Sequence, residues 1–162
     1  MGTDEILLIS KNKQTLPNDI INVIKDLNYR NEIYKKISIN SCQSLHALIK
    51  LLFQEELKYR LDDNVEEFFE NIYRCAFLLY NVGDLNDVKL MWNAKQSDFD
   101  LSCGFDIQFI IGAGYEKTLD FLSHELNNTE IIEYIKLCKK GGDFDYMNEW
   151  YDSKMKYFGF KD

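Results

Sequence analysis

The sequence predicts a mainly α chain, and three observations carry that prediction. Apolar residues recur at i, i+3, i+4 and i+7 over most of the length, proline occurs once, at Pro17, and no convincing period-2 alternation appears beyond the first ten residues. The expected architecture is a compact multi-helix domain over residues 1–162, either an irregular bundle or a solenoid-like stack of helix pairs, with at most a short N-terminal strand. A chain of 162 residues buries about 68–70% of the surface its unfolded form exposes, so no disulfide or metal staple is required.

The opening Ile6-Leu7-Leu8-Ile9 is too short for periodicity to classify and reads as a strand or an arm. Pro17 stands where a first-turn proline belongs, ahead of Ile20, Ile21, Ile24 and Leu27, which form one stripe of a helix from about 18 to 29. Ile33, Tyr34, Ile37 and Ile39 suggest a further short element. From Ser44 the stripe Leu45, Leu48, Ile49, Leu52, Phe53, Leu57 and Leu61 is too regular for a strand. Asp62-Asp63-Asn64 breaks it and offers N-cap oxygens to a helix expected to bury Val65, Phe68, Phe69, Ile72, Tyr73, Ala76, Leu79 and Tyr80. Gly83 ends that helix in the left-handed conformation, and the two helices are expected to form an αα-hairpin.

Shorter units follow. Asp84 caps Leu85, Val88, Met91 and Trp92; Phe105 to Ile111 runs into Gly112-Ala113-Gly114; Leu119, Leu122 and Leu126 make another stripe. Asn128 and Thr129 compete to cap Ile131, Ile132, Ile135 and Cys138, and Gly141-Gly142 ends that helix. Phe144, Met147, Trp150, Tyr151, Met155 and Phe158 make the apolar side of a last helix that carries Lys154 and Lys156 in its final turns, in keeping with the macrodipole. Cys75-Ala76-Phe77 and Cys103-Gly104-Phe105, 28 residues apart and each followed by an apolar run ending in glycine, hint at a helical repeat.

Nineteen Lys and Arg against twenty-seven Asp and Glu give a net charge of −8. That balance argues against direct nucleic-acid binding and against an anionic membrane surface, both of which ask for a basic footprint. The N-terminus has no basic region ahead of a long apolar run and no stretch approaches a transmembrane length, so the expected location is the cytoplasm. Cys42, Cys75, Cys103 and Cys138 lie 28 to 35 residues apart with no Cys-x-x-Cys pair and read as buried free thiols.

No chemistry is announced by a motif. Cys42 and His46 share a helical face but lack the second close pair that a structural zinc needs. Gly112-Ala113-Gly114 satisfies neither the P-loop nor the dinucleotide pattern. The small residues there suit the close approach of a helix end. Neither a metal nor a cofactor is expected. Acids are the most distinctive feature: between Glu55 and Glu70 seven acids meet two bases, a local balance of −5. Asp84, Asp87, Asp98, Asp100 and Asp106 form a second group around Trp92. Such groups are either solvated surface and helix N-terminal acids, or a surface matched to a basic partner. Trp92 and Phe99 flank Ala94 to Asp98, an aromatic and acidic segment of the kind that supplies interface anchors.

The segment from Asp84 to Leu122 reads Trp92-x-Ala94-Lys95-x-x-x-Phe99-Asp100, Gly104-x-Asp106-x-Gln108 and Gly112-Ala113-Gly114-x-x-x-Thr118-x-x-x-Leu122. Over these 39 residues the pattern resembles helical or ankyrin-like bacterial immunity proteins of contact-dependent growth inhibition and polymorphic toxin systems, although the ankyrin Thr-Pro-Leu-His is missing. The resemblance implies a non-enzymatic protein that occludes the active site or substrate surface of a cognate toxin, most simply a basic nuclease. It implies Trp92, Asp98, Phe99, Asp100, Asp62, Asp63, Glu66, Glu67 and Glu70 as contacts. A helical adaptor and a small enzyme with a carboxylate-based site are the competing expectations.

Overall fold

In a computed structural model of the chain, residues 1–62 and 70–160 are described, and all their regular structure is helical. The chain divides into two compact units, Met1–Val82 and Gly83–Asp162.

The first unit opens with α1 (Thr3–Ser10), where a strand was one expectation. Asp4 and Glu5 in its first turn favour a helix through the macrodipole, and Ile6 and Ser10, one turn apart, share its buried side. The single helix expected near 18–29 is two, α2 (Asn18–Val23) and α3 (Leu27–Tyr34). The physical cause is Asp26, whose carboxylate accepts from the Asn28 and Tyr29 amides at 2.8 and 3.3 Å and so starts a new helix. Pro17 lies just ahead of α2, its carbonyl accepting from Ile20 and Ile21. Two 3-10 turns lead into α4 (His46–Arg60). Its stripe follows the sequence up to Phe53: Leu48, Ile49, Leu52 and Phe53 are fully buried, each stabilising by roughly 1.5–3 kcal/mol. Toward the C-terminus the stripe departs from expectation, with Glu55 and Glu56 buried and Leu61 45% exposed. Helix α5 (Asn71–Val82) packs along α4 as the expected hairpin and buries every residue from Cys75 to Leu79. A helix apolar all round is a central one.

The second unit comprises α6 (Val88–Lys95), α7 (Phe99–Gly104), α8 (Tyr115–Ser123), α9 (Thr129–Gly141) and α10 (Met147–Tyr157), with 3-10 turns at Leu85–Asp87 and Ile107–Ile111. Gly83, its first residue, has φ +67, and a Cβ there would stand 3.2 Å from the Gly112 carbonyl oxygen. This is the close approach that the small residues of 112–114 permit. Asn128 does not cap α9 with its side chain: buried, it donates instead to the Leu122 carbonyl at 3.0 Å, closing the end of α8. Helix α10 is anchored through Trp150 and Lys154, which donate to the Asp106 carboxylate at 2.8 and 2.6 Å. The suggested repeat does not survive. Cys75 is buried in mid-helix and Gly83 is left-handed, whereas Cys103 is exposed in the last turn of α7 and Gly112 has φ −56.

Candidate functional site

Most of the acids grouped around Trp92 serve the fold. Asp84 accepts from the Asn86 amide at 2.9 Å, Asp87 is fully buried, and Asp106 receives Trp150 and Lys154. Asp98 is the N-cap of α7, its carboxylate 2.6 Å from the Leu101 amide. Trp92 is a packing residue: 9% exposed, it lies tilted against Tyr134 with ring centroids 5.3 Å apart, joining α6 to α9. Of the contacts expected on this segment, Phe99, 81% exposed, and Asp100 face solvent, side by side in the first turn of α7.

The other end of α7 is held by Lys95, which stands in the sequence pattern without a role of its own. Lys95 is 4% exposed, and its ammonium donates to the carbonyls of Ser102 and Phe105, both at 2.7 Å. These are C-terminal carbonyls of α7 that its own backbone leaves open, so Lys95 closes one end of the helix while Asp98 closes the other. The Lys95 ammonium also sits 5.8 Å from the Tyr134 ring centroid. Burial pulls its pKa below the ordinary lysine value, against the opposing pull of the nearby Cys138 and Asp106. The signal available in the sequence was a lysine following Met91, Trp92 and Ala94 on an apolar helix.

Of the acids expected between Asp62 and Glu70, Asp62 and Glu70 are exposed, and Asp63, Glu66 and Glu67 lie outside the described residues. Val65, Phe68 and Phe69, expected on the buried face of the second hairpin helix, lie there too. Glu56, counted by the sequence with this acidic group, is in the core of the first unit. Its Oε1 receives Arg30 Nε at 2.7 Å and the Tyr34 hydroxyl at 2.8 Å, while Arg30 Nη1 donates to the Ile24 and Lys25 carbonyls at 2.9 Å. Cys75 completes the cluster, its sulfur 3.5 Å from the Tyr34 oxygen. Burial pushes both the Cys75 thiol and the Tyr34 phenol up, with the Glu56 charge adding to it. A protonated, enclosed thiol is the reverse of what nucleophilic catalysis asks for. Cys42, also buried, is pushed up to about 11 by desolvation. Cys103 is exposed and Cys138 half-buried, so burial of all four thiols does not hold.

Beside this cluster a groove of about 500 Å³ opens on the surface, lined by Asn28, Asn31, Tyr34, Asn71 and Arg74 with Glu32 and Lys35. Asn71 Nδ2 donates to Asn31 Oδ1 at 3.0 Å and Arg74 Nη2 to the Tyr34 carbonyl at 3.2 Å. Burial lowers the Arg74 pKa from its ordinary value. Among the described residues no group of three or more His, Cys, Asp or Glu is placed to hold a metal ion, and no helix is long and apolar enough to cross a membrane. Comparison with known proteins finds no matching family model, no matching curated protein and no matching solved structure.

Proposed function

We propose that this chain is an immunity-type binding protein that captures and neutralises a cognate, basic bacterial protein toxin in the cytoplasm, using the first turn of α7 as one contact. The observation that carries this reading is Phe99. A phenylalanine 81% exposed on a helix clamped at both ends, by Asp98 and by Lys95, is an apolar anchor held ready for a partner. Asp100 beside it and the net charge of −8 supply complementarity to a basic surface, which raises the rate of encounter and fixes orientation. Asp62 and Glu70, exposed on the first unit, are further acidic contacts. Trp92 and Asp98 support the contact from behind without touching the partner.

The test is co-expression with the toxin domain encoded next to this chain's gene, reading growth and capture of the purified pair. Rescue of growth with tight capture, and a loss of at least about 30-fold in affinity on Phe99→Ala, is the expected result, in line with a hot-spot truncation. The absence of both rescue and capture would end the toxin reading, and capture indifferent to Phe99 would move the contact elsewhere.

A further inference from the structure

We infer that α10 is a latch: it opens away from the second unit as one piece while α6 to α9 stay folded, and the Asp106 carboxylate is the catch that holds it shut. None of the eleven residues of α10 is buried, whereas each of α1 to α9 buries at least one. A helix with so little apolar burial is released at a smaller cost than unfolding the whole. The chain leading into it is fixed as far as Phe144. Helix α9 ends at Gly142, left-handed with φ +91, and Gln108 Nε2 donates to the Asp143 carbonyl at 2.7 Å. Phe144 is buried, its ring centroid 5.8 Å from that of Tyr115. Tyr146, two residues on, is 74% exposed, and the hinge lies between the two.

The contacts that hold α10 down converge on one place. Asp106 Oδ2 accepts from Trp150 Nε1 at 2.8 Å and from Lys154 Nζ at 2.6 Å, two donors one turn apart on α10. The same two side chains cover Phe109. The Trp150 ring stands edge-on to it with centroids 5.4 Å apart, and the Lys154 ammonium lies 5.7 Å from its centroid. Asp106 makes no side-chain capping bond to the 3-10 turn it precedes, so its carboxylate serves α10 and can be removed without unmaking that turn. Phe158, buried just past the helix, adds apolar grip at the far end. Opening uncovers Phe109, which is buried while α10 is down, so the second unit holds an apolar face that it shows in the open state. The latch stands apart from the toxin reading: Phe99 is on α7 and exposed with α10 closed, and either can fail alone.

The experiment is amide hydrogen exchange on the full chain, resolved by residue, in water and in sub-denaturing urea. The expected result is that the hydrogen-bonded amides of α10 share one protection factor, at least about tenfold below those of Ile131 to Ile135 in α9. Urea should leave the α10 value unchanged and lower the α9 value, because a local opening exposes little surface. Asp106→Ala removes both charge-assisted bonds and should lower protection in α10 by a further tenfold, roughly, with α9 unaffected. Trp150→Phe keeps a ring against Phe109 and deletes the indole donor, so it should give a smaller drop in the same helix; it serves in place of Asp106→Ala if that variant does not fold. Protection and urea dependence equal in α10 and α9, a gradient falling steadily toward the C-terminus as in simple fraying, or no change in α10 on either substitution would each overturn the latch. So would a loss of protection spread evenly over the unit in both variants.

Discussion

Arg30 Nε lies 2.7 Å from Glu56 Oε1, and both side chains are 2% exposed, so α3 and α4 are joined by an ion pair inside the first unit. Taking two charges out of water costs several kcal/mol each, which the pair recovers through its short contact and the added bonds from Tyr34 and to the Ile24 and Lys25 carbonyls. Removing one partner strands the other. Arg30→Ala and Glu56→Leu are each expected to lower unfolding free energy by about 3–5 kcal/mol in urea titrations. The double variant Arg30→Met/Glu56→Leu should recover much of that loss. Single variants within 1 kcal/mol of the parent, an order-of-magnitude margin, would show that the pair is not enclosed in solution.

The buried thiols make stability fall at alkaline pH. Cys42 is raised by burial from 9.0 to about 11, so the unfolded chain releases its proton first. The sign follows: the contribution is whole below about pH 9 and is lost as pH climbs toward 11. Cys75 acts in the same direction. Lys95, lowered by burial, acts oppositely, gaining stability as pH approaches the ordinary lysine value, so the thiol effect is read as a difference. The unfolding free energies of the parent and of Cys42→Ala, from urea titrations, should draw together by of the order of 1–3 kcal/mol between pH 8 and 11. A pH-independent gap would refute the enclosed thiol.

Lys95→Met should cost about 2–4 kcal/mol, because two charge-assisted bonds to the Ser102 and Phe105 carbonyls are lost and those acceptors are left without the cation. Hydrogen exchange in α7 should quicken more than in α9. Equal protection in parent and variant would mean that α7 does not depend on this clamp.

Asp98 and Asp100 separate fold from contact although they are two residues apart. Asp98→Ala removes the cap at Leu101 and should cost roughly 1 kcal/mol of stability. Asp100→Lys, on the exposed side, should stay within about 0.5 kcal/mol of the parent while weakening capture of a basic partner, most clearly at low salt. Thermal melts and binding titrations on both variants decide this; unchanged capture by Asp100→Lys removes that acid from the interface.

The sequence by itself determined that the chain is helical and where most helices start and stop. Stripe periodicity, the absence of internal proline, Asp84 as a cap and glycines at 83 and 142 are local properties, settled within a turn or two of the backbone. In two places local signals compete. Asp26 splits one stripe into α2 and α3, and Asp4 and Glu5 tip Ile6 to Ile9 toward a helix. Only the tertiary structure decided what the charged and aromatic residues are for. Trp92, by its sequence setting an anchor for a partner, is turned inward against Tyr134; Glu56, one of a run of acids in the sequence, lies beside Arg30, 26 residues away in sequence. A carboxylate has the same local preferences whether it caps a helix, pairs in the core or faces water. Its role is set by which distant group stands within about 3 Å of it, and that distance belongs to the packing of helices on one another.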